Sequence, residues 1–259
     1  MEHFSTRVIS NHVICNGYYS MRLSWPSSVP GPLPGQFLTI RPPVGTGALL
    51  RRPFAFSAVD DKESTVEIVY ERRGDVTRFL ATCRNEEMLD LLAPLGTPFP
   101  DPQTGTRPVL LAGGIGMGPV FFLASALRKS GLQPLLVLGA RNASLIPDRP
   151  LFREVETIIA TDDGSAGFHG TSVDALLSYE RSHKLADVEY FACGPMPMLR
   201  SLAAHAESHK RQCWVSIEQT MGCAVGACMG CVIPVHGEGR YARVCTEGPV
   251  FDARAIVWT

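Results

Sequence analysis

The sequence lacks any long hydrophobic run and any excess of one charge. No stretch approaches the roughly 18 uninterrupted apolar residues of a membrane-spanning helix. The first segment, MEHFSTRVIS, has no continuous apolar core of the kind that marks a signal peptide. The 24 Lys and Arg residues are balanced by 25 Asp and Glu residues, so the chain offers no electrostatic surface for nucleic acid or an anionic membrane. We therefore expect a cytoplasmic protein that binds neither.

Cysteine, in contrast, is plentiful, and half of it is concentrated in one segment. A disulfide framework is disfavoured in a cytoplasmic protein, where thiols stay reduced. Cys15, Cys83, Cys193 and Cys213 stand alone among the eight cysteines, and an isolated cysteine is usually a small buried hydrophobic residue. The other four lie within residues 223–245 and favour a metal site.

The character of the sequence changes near residue 105 of 259. Before it, short runs with β-strand character alternate with Gly and Pro, as in an antiparallel barrel or sandwich: HVICNGYYSMRLSW, GQFLTIRPP, PFAFSAVD, TVEIVYERRG and LDLLAPLG. One short helix, DVTRFLATC, is predicted with Asp75 as its N-cap. After residue 105, apolar strands alternate with amphipathic helices, which predicts a parallel sheet covered on both faces. We predict a β-barrel domain at 1–104, an α/β domain at 105–212 and a small metal-binding module at 213–259.

Two glycine-containing turns follow apolar strands of the α/β domain. In LLAGGIGMGP, Gly114, Gly116, Gly118 and Pro119 lead from a strand into a helix, whose free N–H groups suit a pyrophosphate; a merely tight turn is the alternative. In FACGPMPML, a second such turn holds Cys193, Gly194 and Pro195. Both turns lie at strand ends, so they are expected to face one ligand. Cys193 would abut a nicotinamide ring or fill a small space, and TDDGSAGFHG would line the same crevice or form a solvated acidic loop.

In the barrel half, LLRRPFAFS places two arginines in an apolar run. Isolated surface arginines are common, but an arginine beside a helix N-terminus can bind the phosphates of a dinucleotide. The candidate helix is DVTRFLATC, with Gly74 before it and Thr77 in its first turn.

The clustered cysteines are Cys223, Cys228, Cys231 and Cys245, with the spacing C-x4-C-x2-C-x13-C. Plant-type ferredoxins hold a [2Fe–2S] cluster with C-x4-C-x2-C and a distant fourth cysteine. Structural zinc usually takes two separated C-x2-C pairs, and only one such pair is present. The spacing favours an iron–sulfur cluster over zinc.

These segments together resemble the electron-transfer subunits of NAD-dependent (class B, two-subunit) dihydroorotate dehydrogenases, within the ferredoxin–NADP reductase superfamily. The resemblance runs essentially end to end, through PGQF, RRPF, AGGIGMGP, TDDGSAGFHG, CGPMPML, CAVGACMGC and RVCTEGPVF. The last four in combination are specific, whereas the first two are widespread in the superfamily. It implies an FAD-binding barrel, an NAD-binding α/β domain and a C-terminal [2Fe–2S] module.

The resemblance also implies roles for individual residues. The cysteines of the 223–245 segment would hold the cluster. The residues that would contact FAD are Arg52, Pro53, Phe54, Ala55, Val69, Tyr70 and Glu71, with Val76 and Thr77 at its pyrophosphate. Three positions depart from the family pattern: Ala55 replaces Ser or Thr, and Val76 and Ala224 replace Gly. Ala55 would remove a hydroxyl from the flavin side, and Val76 would crowd a phosphate turn, so weaker FAD binding is expected.

The resemblance further implies a partner. Electrons from dihydroorotate would enter through FMN in a catalytic subunit, cross the cluster to FAD and leave as NADH, in a heterotetramer. No base or nucleophile constellation for oxidising dihydroorotate stands out in this sequence, so we assign that chemistry to the partner. Two alternatives remain open: the same cofactors serving a sulfite reductase, hydrogenase or ferredoxin-dependent transhydrogenase, and a zinc-stabilised binding module without catalysis. The preference for NAD over NADP comes from the family alone. The residues themselves do not support it, because GARNASLIP has no acidic residue to bind a ribose 2′-hydroxyl and Arg141 would tolerate a 2′-phosphate.

Overall fold

The computed structural model describes residues 1–42, 47–183, 185–237 and 239–258. Pro43, the last residue of the predicted run GQFLTIRPP, lies outside them. Among the described residues, no helix is both long enough and apolar enough to cross a membrane.

The first part of the chain forms a closed barrel of six antiparallel strands. Around the barrel the order is β1-β2-β5-β4-β3-β6, so the prediction of a barrel is confirmed over a sandwich. Leu38, Phe56 and Ile68 are fully buried in its core. The strands are β1 (Glu2–Cys15), β2 (Tyr18–Ser24), β3 (Phe37–Ile40), β4 (Arg52–Asp60), β5 (Thr65–Glu71) and β6 (Met88–Leu95).

Helix α1 (Asp75–Leu80) begins four residues after the end of β5. Its N-cap is Gly74, in an extended conformation, and Asp75 is the first helical residue. The prediction of Asp75 as the N-cap was therefore wrong by one position. Asp75 instead places a negative charge in the first turn, where it favours the helix dipole, and its carboxylate pairs with Arg78.

The second part of the chain alternates strands and helices around a seven-stranded sheet of order β10-β9-β8-β7-β11-β12-β15. All neighbouring pairs except β12–β15 are parallel, which confirms the α/β prediction. The strands are β7 (Arg107–Gly113), β8 (Leu135–Ala140), β9 (Glu156–Thr161), β10 (Phe168–His169), β11 (Val188–Cys193), β12 (Cys213–Ser216) and β15 (Val250–Asp252). The helices are α2 (Met117–Lys129), α3 (Leu151–Glu154), α4 (Ser172–His183) and α5 (Met196–Ser208).

The cysteine-rich segment lies between two strands of this sheet. The chain leaves the sheet after β12, forms a hairpin of β13 (Val232–Pro234) and β14 (Tyr241–Arg243), and returns as β15 beside β12. The sheet thus continues across residue 213, where the sequence analysis divides the α/β domain from the metal-binding module. The division into three units stays a prediction.

The barrel packs directly on the α/β part. Gly118 in α2 lies against Ser57 and Val69 of the barrel, with 3.7 Å between an added Cβ atom and the Cβ atoms of each. Glu67 on β5 pairs with Arg149 at 2.8 Å, and both side chains are largely buried. These contacts hold the barrel over the carboxyl edge of the sheet, where parallel α/β sheets bind ligands.

Candidate functional site

A cavity of about 840 Å³ lies between the barrel, the first turn of α1 and the carboxyl edge of the parallel sheet. All ten residues of the barrel half that were predicted to contact a cofactor line it, although they come from three separate elements. They are Arg52, Pro53, Phe54, Ala55, Val69, Tyr70, Glu71, Gly74, Val76 and Thr77. Their convergence follows from the topology, because β4 and β5 are neighbours and α1 begins shortly after β5. Their contact with FAD itself stays a prediction.

The two arginines of LLRRPFAFS have different partners. Arg51 pairs with the Asp90 carboxylate and donates from Nη1 to the Asp90 carbonyl at 3.2 Å. Burial opposes ionisation of Asp90, but hydrogen bonds from Arg51 and His3 outweigh it and hold the pKa of that carboxyl below its ordinary value. Arg52 lies on the cavity wall and donates to the Leu50 carbonyl at 2.9 Å. Only Arg52 is therefore placed to meet a ligand.

Thr77 organises the turn that begins α1. Its Oγ1 accepts hydrogen bonds from the N–H groups of Arg73 at 2.9 Å and Gly74 at 3.0 Å. The first N–H groups of a helix have no acceptor within the helix, and residues 74–77, which include that first turn, line the cavity. The turn is thus held in shape while its backbone donors are left for a ligand.

Tyr70 lies on the cavity wall and is anchored by a residue that the sequence analysis missed. Its hydroxyl donates to Asn11 Oδ1 at 2.9 Å, and Asn11 Nδ2 donates to the carbonyls of Leu80 at 2.8 Å and Cys83 at 3.1 Å. The Tyr19 ring stacks on Tyr70 with 5.5 Å between centroids. Burial raises the pKa of Tyr70, so its hydroxyl stays protonated. Asn11 thus connects β1, β5 and the end of α1. The only feature of the sequence that could have indicated this role is a polar amide within a strand.

Two of the three departures from the family pattern lie on this wall. Ala55 is partly exposed there and carries no hydroxyl, as expected. Val76 is only 3% exposed and packs with the barrel core. Because Val76 also lines the cavity, its crowding of the phosphate turn stays a prediction.

The glycine turns that follow β7 and β11 touch each other. A Cβ atom on Gly116 would lie 2.3 Å from the Cys193 carbonyl oxygen and 2.7 Å from the Gly194 nitrogen. One on Gly113 would lie 2.8 Å from Pro195 Cδ. Only glycine allows the two turns this close, since both obstacles at Gly116 are backbone atoms. The two motifs therefore share one location at the edge of the sheet.

The predicted residues of these turns have different surroundings. Pro119 and Cys193 line the cavity, together with Ile115. Gly118 faces the barrel, and an added Cβ atom on Gly114 would lie 3.7 Å from the Tyr18 hydroxyl. Gly114, Gly116, Gly118, Gly194 and Pro195 are not part of the cavity wall, and their contact with NAD stays a prediction. The TDDGSAGFHG segment is also absent from that wall. It begins at the end of β9, which lies two strands away from β7 in the sheet.

Cys193 lies on the wall as a neutral thiol. It is 2% exposed, and burial, reinforced by the nearby Glu218 carboxylate, raises its pKa. Glu218 lines the cavity and keeps some solvent exposure, and desolvation by the surrounding protein, with the Glu71 carboxylate, raises the pKa of Glu218 as well. The wall therefore carries two neighbouring carboxyl groups beside an uncharged sulfur.

One whole segment of the wall was not predicted from the sequence. Residues 213–259 were predicted to form the metal-binding module, whereas the chain at the end of β12 and just after it faces the cavity. The signal available was the position of these residues at the carboxyl end of the apolar strand CWVS. The segment's lining residues are Ser216, Ile217, Glu218, Gln219 and Met221.

The end of β8 has acidic neighbours in space that it lacks in sequence. The Asp162 N–H donates to the Ala140 carbonyl at 3.0 Å, and the Asp163 N–H donates to the Arg141 carbonyl at 3.2 Å. The Asp163 carboxylate accepts from the Ser165 N–H at 2.9 Å. The segment GARNASLIP itself contains no acidic residue, but the chain just after β9 places two aspartates beside it.

The four clustered cysteines form two pairs. Cys223 and Cys228 each accept, at sulfur, the backbone N–H of the other, at 3.3 and 3.4 Å. Hydrogen bonds from the N–H groups of Val225, Cys228 and Ala227 outweigh burial and lower the pKa of Cys223 to about 7. Cys231 and Cys245 are 3% and 2% exposed. Burial, followed by the adjacent Cys231 thiol, raises the pKa of Cys245 to about 11.

These surroundings fit a two-iron cluster. Backbone N–H groups already point at the Cys223 and Cys228 sulfurs, and hydrogen bonds to sulfur are a main protein contribution to such clusters.

Ala224, the third departure, has a left-handed backbone. Its φ is +61°, where a residue with a Cβ atom is disfavoured by about 1–2 kcal/mol. Its methyl group is buried, with 2% exposure, in the core that the cluster segment shares with the sheet. Burial of a methyl contributes about 0.8 kcal/mol, so it offsets a large part of the strain that glycine would avoid.

Comparison with known families agrees with this geometry. Residues 218–257 match the model of the iron–sulfur cluster binding domain of dihydroorotate dehydrogenase B. Over 254 residues the chain is 38% identical to the dihydroorotate dehydrogenase B (NAD(+)) electron transfer subunit of Bacillus caldolyticus, with 96% of each chain covered. It is 32% identical to the subunit of the same name from Desulforamulus reducens, with 98% of each chain covered.

Solved structures show the same fold. The structure of an NADH-dependent reduced ferredoxin-NADP oxidoreductase superposes with a TM-score of 0.85 and 25% identity, over 98% of this chain and 90% of that one. Phthalate dioxygenase reductase superposes with a TM-score of 0.66 and 16% identity, over 94% of both chains. The second likeness concerns the fold alone.

Proposed function

This chain belongs to the family of dihydroorotate dehydrogenase B electron transfer subunits, and on that premise we propose that it carries electrons between a catalytic partner and NAD⁺. It does so with FAD in the barrel cavity and a [2Fe–2S] cluster on the four cysteines. The observation that carries the proposal is the position of Ser216–Gln219 and Met221, which line the cavity just before Cys223 in the chain. One short segment thus joins the two cofactor sites.

FAD, when bound, exchanges electron pairs with a nicotinamide and single electrons with an iron–sulfur cluster. Arg52 and the first turn of α1 bind its pyrophosphate, the one by charge and the other by free N–H groups. Tyr70, held by Asn11, fixes the inner wall. The turns after β7 and β11, locked together at Gly116, bind NAD beside the same cavity.

Cys193, Ile115 and Pro119 are the residues of the NAD turns that line the cavity. They are uncharged, so they exclude water from the place where nicotinamide and flavin would meet without competing for either ring. Asp162 and Asp163, beside the end of β8, supply acceptors for an adenosine ribose hydroxyl, which favours NAD over NADP. Exposed Cys228 and Met229 bring the cluster segment to the surface, where a partner can approach it.

We assign dihydroorotate oxidation to an FMN-containing catalytic subunit, with which the chain forms a heterotetramer. The relatives' name, electron transfer subunit, implies a catalytic partner, and this supports placing the substrate oxidation there. A second candidate is an electron-input subunit of another NADH-dependent redox complex, which the likeness to the ferredoxin-NADP oxidoreductase structure favours.

The test is cofactor and partner analysis of anaerobically purified protein. Acid denaturation should release FAD, and iron and acid-labile sulfide should be present in equal amounts. A colourless protein with stoichiometric zinc and no labile sulfide would refute the electron-transfer function. Co-purification from the native host separates the two candidates: an FMN subunit that responds to dihydroorotate supports the first, and a complex without such a response supports the second.

A further inference from the structure

Arg243 connects the cysteine loop to the turn that carries the fourth cysteine. Its Nη1 donates to the Gly226 carbonyl, in the middle of CAVGACMGC, at 3.1 Å. Its Nε donates to both oxygens of Glu247 at 3.0 Å, and its backbone N–H donates to Glu247 Oε2 at 2.6 Å. The guanidinium is therefore fixed between Gly226 on one side and Glu247 on the other.

The pair lies beside the segments that carry the cysteines. Arg243 and Glu247 each stand two residues from Cys245 in the chain, and the Arg243 guanidinium contacts the cysteine loop at Gly226. The two charged side chains pair directly with each other. The two side chains are 37% and 42% exposed, so solvent reduces but does not abolish their fields at the sulfurs.

We propose that Arg243 and Glu247 set the reduction potential of the [2Fe–2S] cluster, Arg243 raising it and Glu247 lowering it. The inference rests on the proposed function, since it needs the cluster on the four cysteines. Neither Arg243 nor Glu247 is a ligand of the cluster, so the ion pair would affect the electronic properties of the cluster in addition to stabilising the loop.

The sign follows from charge. Reduction adds one electron to the cluster, so the reduced form carries one more negative charge, and no proton or ligand is exchanged. A neighbouring cation stabilises that form more than the oxidised one, and a neighbouring anion does the opposite; charge and hydrogen bonding near the sulfurs are established determinants of cluster potentials. Removal of the Arg243 charge should therefore lower the reduction potential, and removal of the Glu247 charge, which partly neutralises Arg243, should raise it.

The experiment is a redox titration of the holoprotein, followed by the electron paramagnetic resonance signal of the reduced cluster. Arg243→Gln should lower the midpoint potential, and Glu247→Gln should raise it. At a fixed poise and low ionic strength, each change should alter the ratio of reduced to oxidised cluster by roughly twofold to fivefold, the range for a partly exposed charge pair. Arg243→Lys should shift the potential less than Arg243→Gln, and added salt should shrink all three effects.

The matched control is the exposed pair Arg128–Glu154, with 3.2 Å between Nη1 and Oε2. Arg128 lies in the last turn of α2, at the sheet edge opposite the cluster segment. Arg128→Gln and Glu154→Gln should leave the midpoint unchanged. If Arg243→Gln does not retain iron, Glu247→Gln and Arg243→Lys still give the sign.

Three outcomes are separable. Opposite shifts support the inference. Unmoved potentials, or shifts of the same sign in Arg243→Gln and Glu247→Gln, overturn it and leave only a structural role for the pair. Wild-type protein without iron overturns the proposed function itself, before any variant is compared.

Discussion

The four cysteines of the cluster segment differ in exposure, and this difference suggests which one to replace. Cys228 is exposed, whereas Cys231 and Cys245 are buried, so Cys228→Ser should disturb packing least. We expect it to lose iron and labile sulfide while FAD stays bound, because a serine oxygen is a poor substitute for a soft thiolate ligand. Metal and sulfide analysis with flavin absorbance measures both. Cys15→Ser, at a half-buried cysteine in the barrel, should keep the cluster, and loss of iron from Cys15→Ser alone would contradict the ligand assignment.

The neighbouring arginines offer a second test at the residue scale. Arg52→Ala removes a charged group from the cavity wall and should weaken FAD binding by about 1.5–3 kcal/mol, or roughly tenfold to hundredfold in Kd. Arg51→Ala removes the partner of Asp90 and should lower the thermal midpoint with FAD affinity nearly unchanged. Flavin fluorescence titration of the apoprotein gives both affinities. Equal weakening in the two variants would mean that Arg52 has no specific place in the site.

At the scale of elements, the turns after β7 and β11 approach each other most closely at Gly116. In Gly116→Ala the new Cβ atom would lie 2.3 Å from a backbone oxygen of the second turn, so the two turns must separate. We expect reduction of the flavin by NADH to slow by on the order of tenfold to hundredfold, since a small displacement of reacting groups has effects of that size. FAD should remain bound, because its site lies in the barrel.

Gly118→Ala is the control within the same helix. Its new Cβ atom would have 3.7 Å to its nearest neighbours, an ordinary contact, and alanine favours a helix over glycine by about 1 kcal/mol. Anaerobic stopped-flow absorbance should therefore show near-normal reduction by NADH. If Gly116→Ala lost FAD and kept normal kinetics with NADH, the assignment of the two dinucleotide sites to the two domains would be reversed.

At the scale of the whole molecule, the chain should contain one half of an electron path. With NADH and an artificial acceptor it should be active alone, because both the NAD turns and the FAD cavity are its own. It should not reduce NAD⁺ with dihydroorotate until the FMN-containing subunit is added. Loss of the cluster in Cys228→Ser should abolish the dihydroorotate-dependent rate of the complex and spare transfer from NADH to the dye, since a dye takes electrons directly at the flavin.

Steady-state assays with the isolated chain, the complex and the Cys228→Ser complex compare these rates. Dihydroorotate-dependent reduction of NAD⁺ by the isolated chain would rule out the division between two subunits. Unchanged turnover of the complex without its cluster would place the cluster outside the electron path.

Local patterns in the sequence were enough for the family, the barrel, the parallel sheet and the cysteine set. Each of these depends on residues close together in the chain: Gly-containing turns between short strands, the alternation of strand and helix, and the spacing of Cys223, Cys228 and Cys231. The errors were also local. The capping position was misplaced from Gly74 to Asp75, and the first ten residues of β1 were missed, because EHFSTRVISN is too polar to stand out as a strand.

Only the tertiary structure decided which distant residues meet. It placed Ser216–Gln219 and Met221 on the cavity wall, set Asn11 behind Tyr70, and returned β15 to the edge of the sheet. It also separated Arg51 from Arg52 and joined Arg243 to Gly226. Such contacts depend on strand order, register and packing across more than one element. A short window of sequence specifies the conformation of its own backbone, whereas the neighbours of a side chain are chosen by the burial of the whole core.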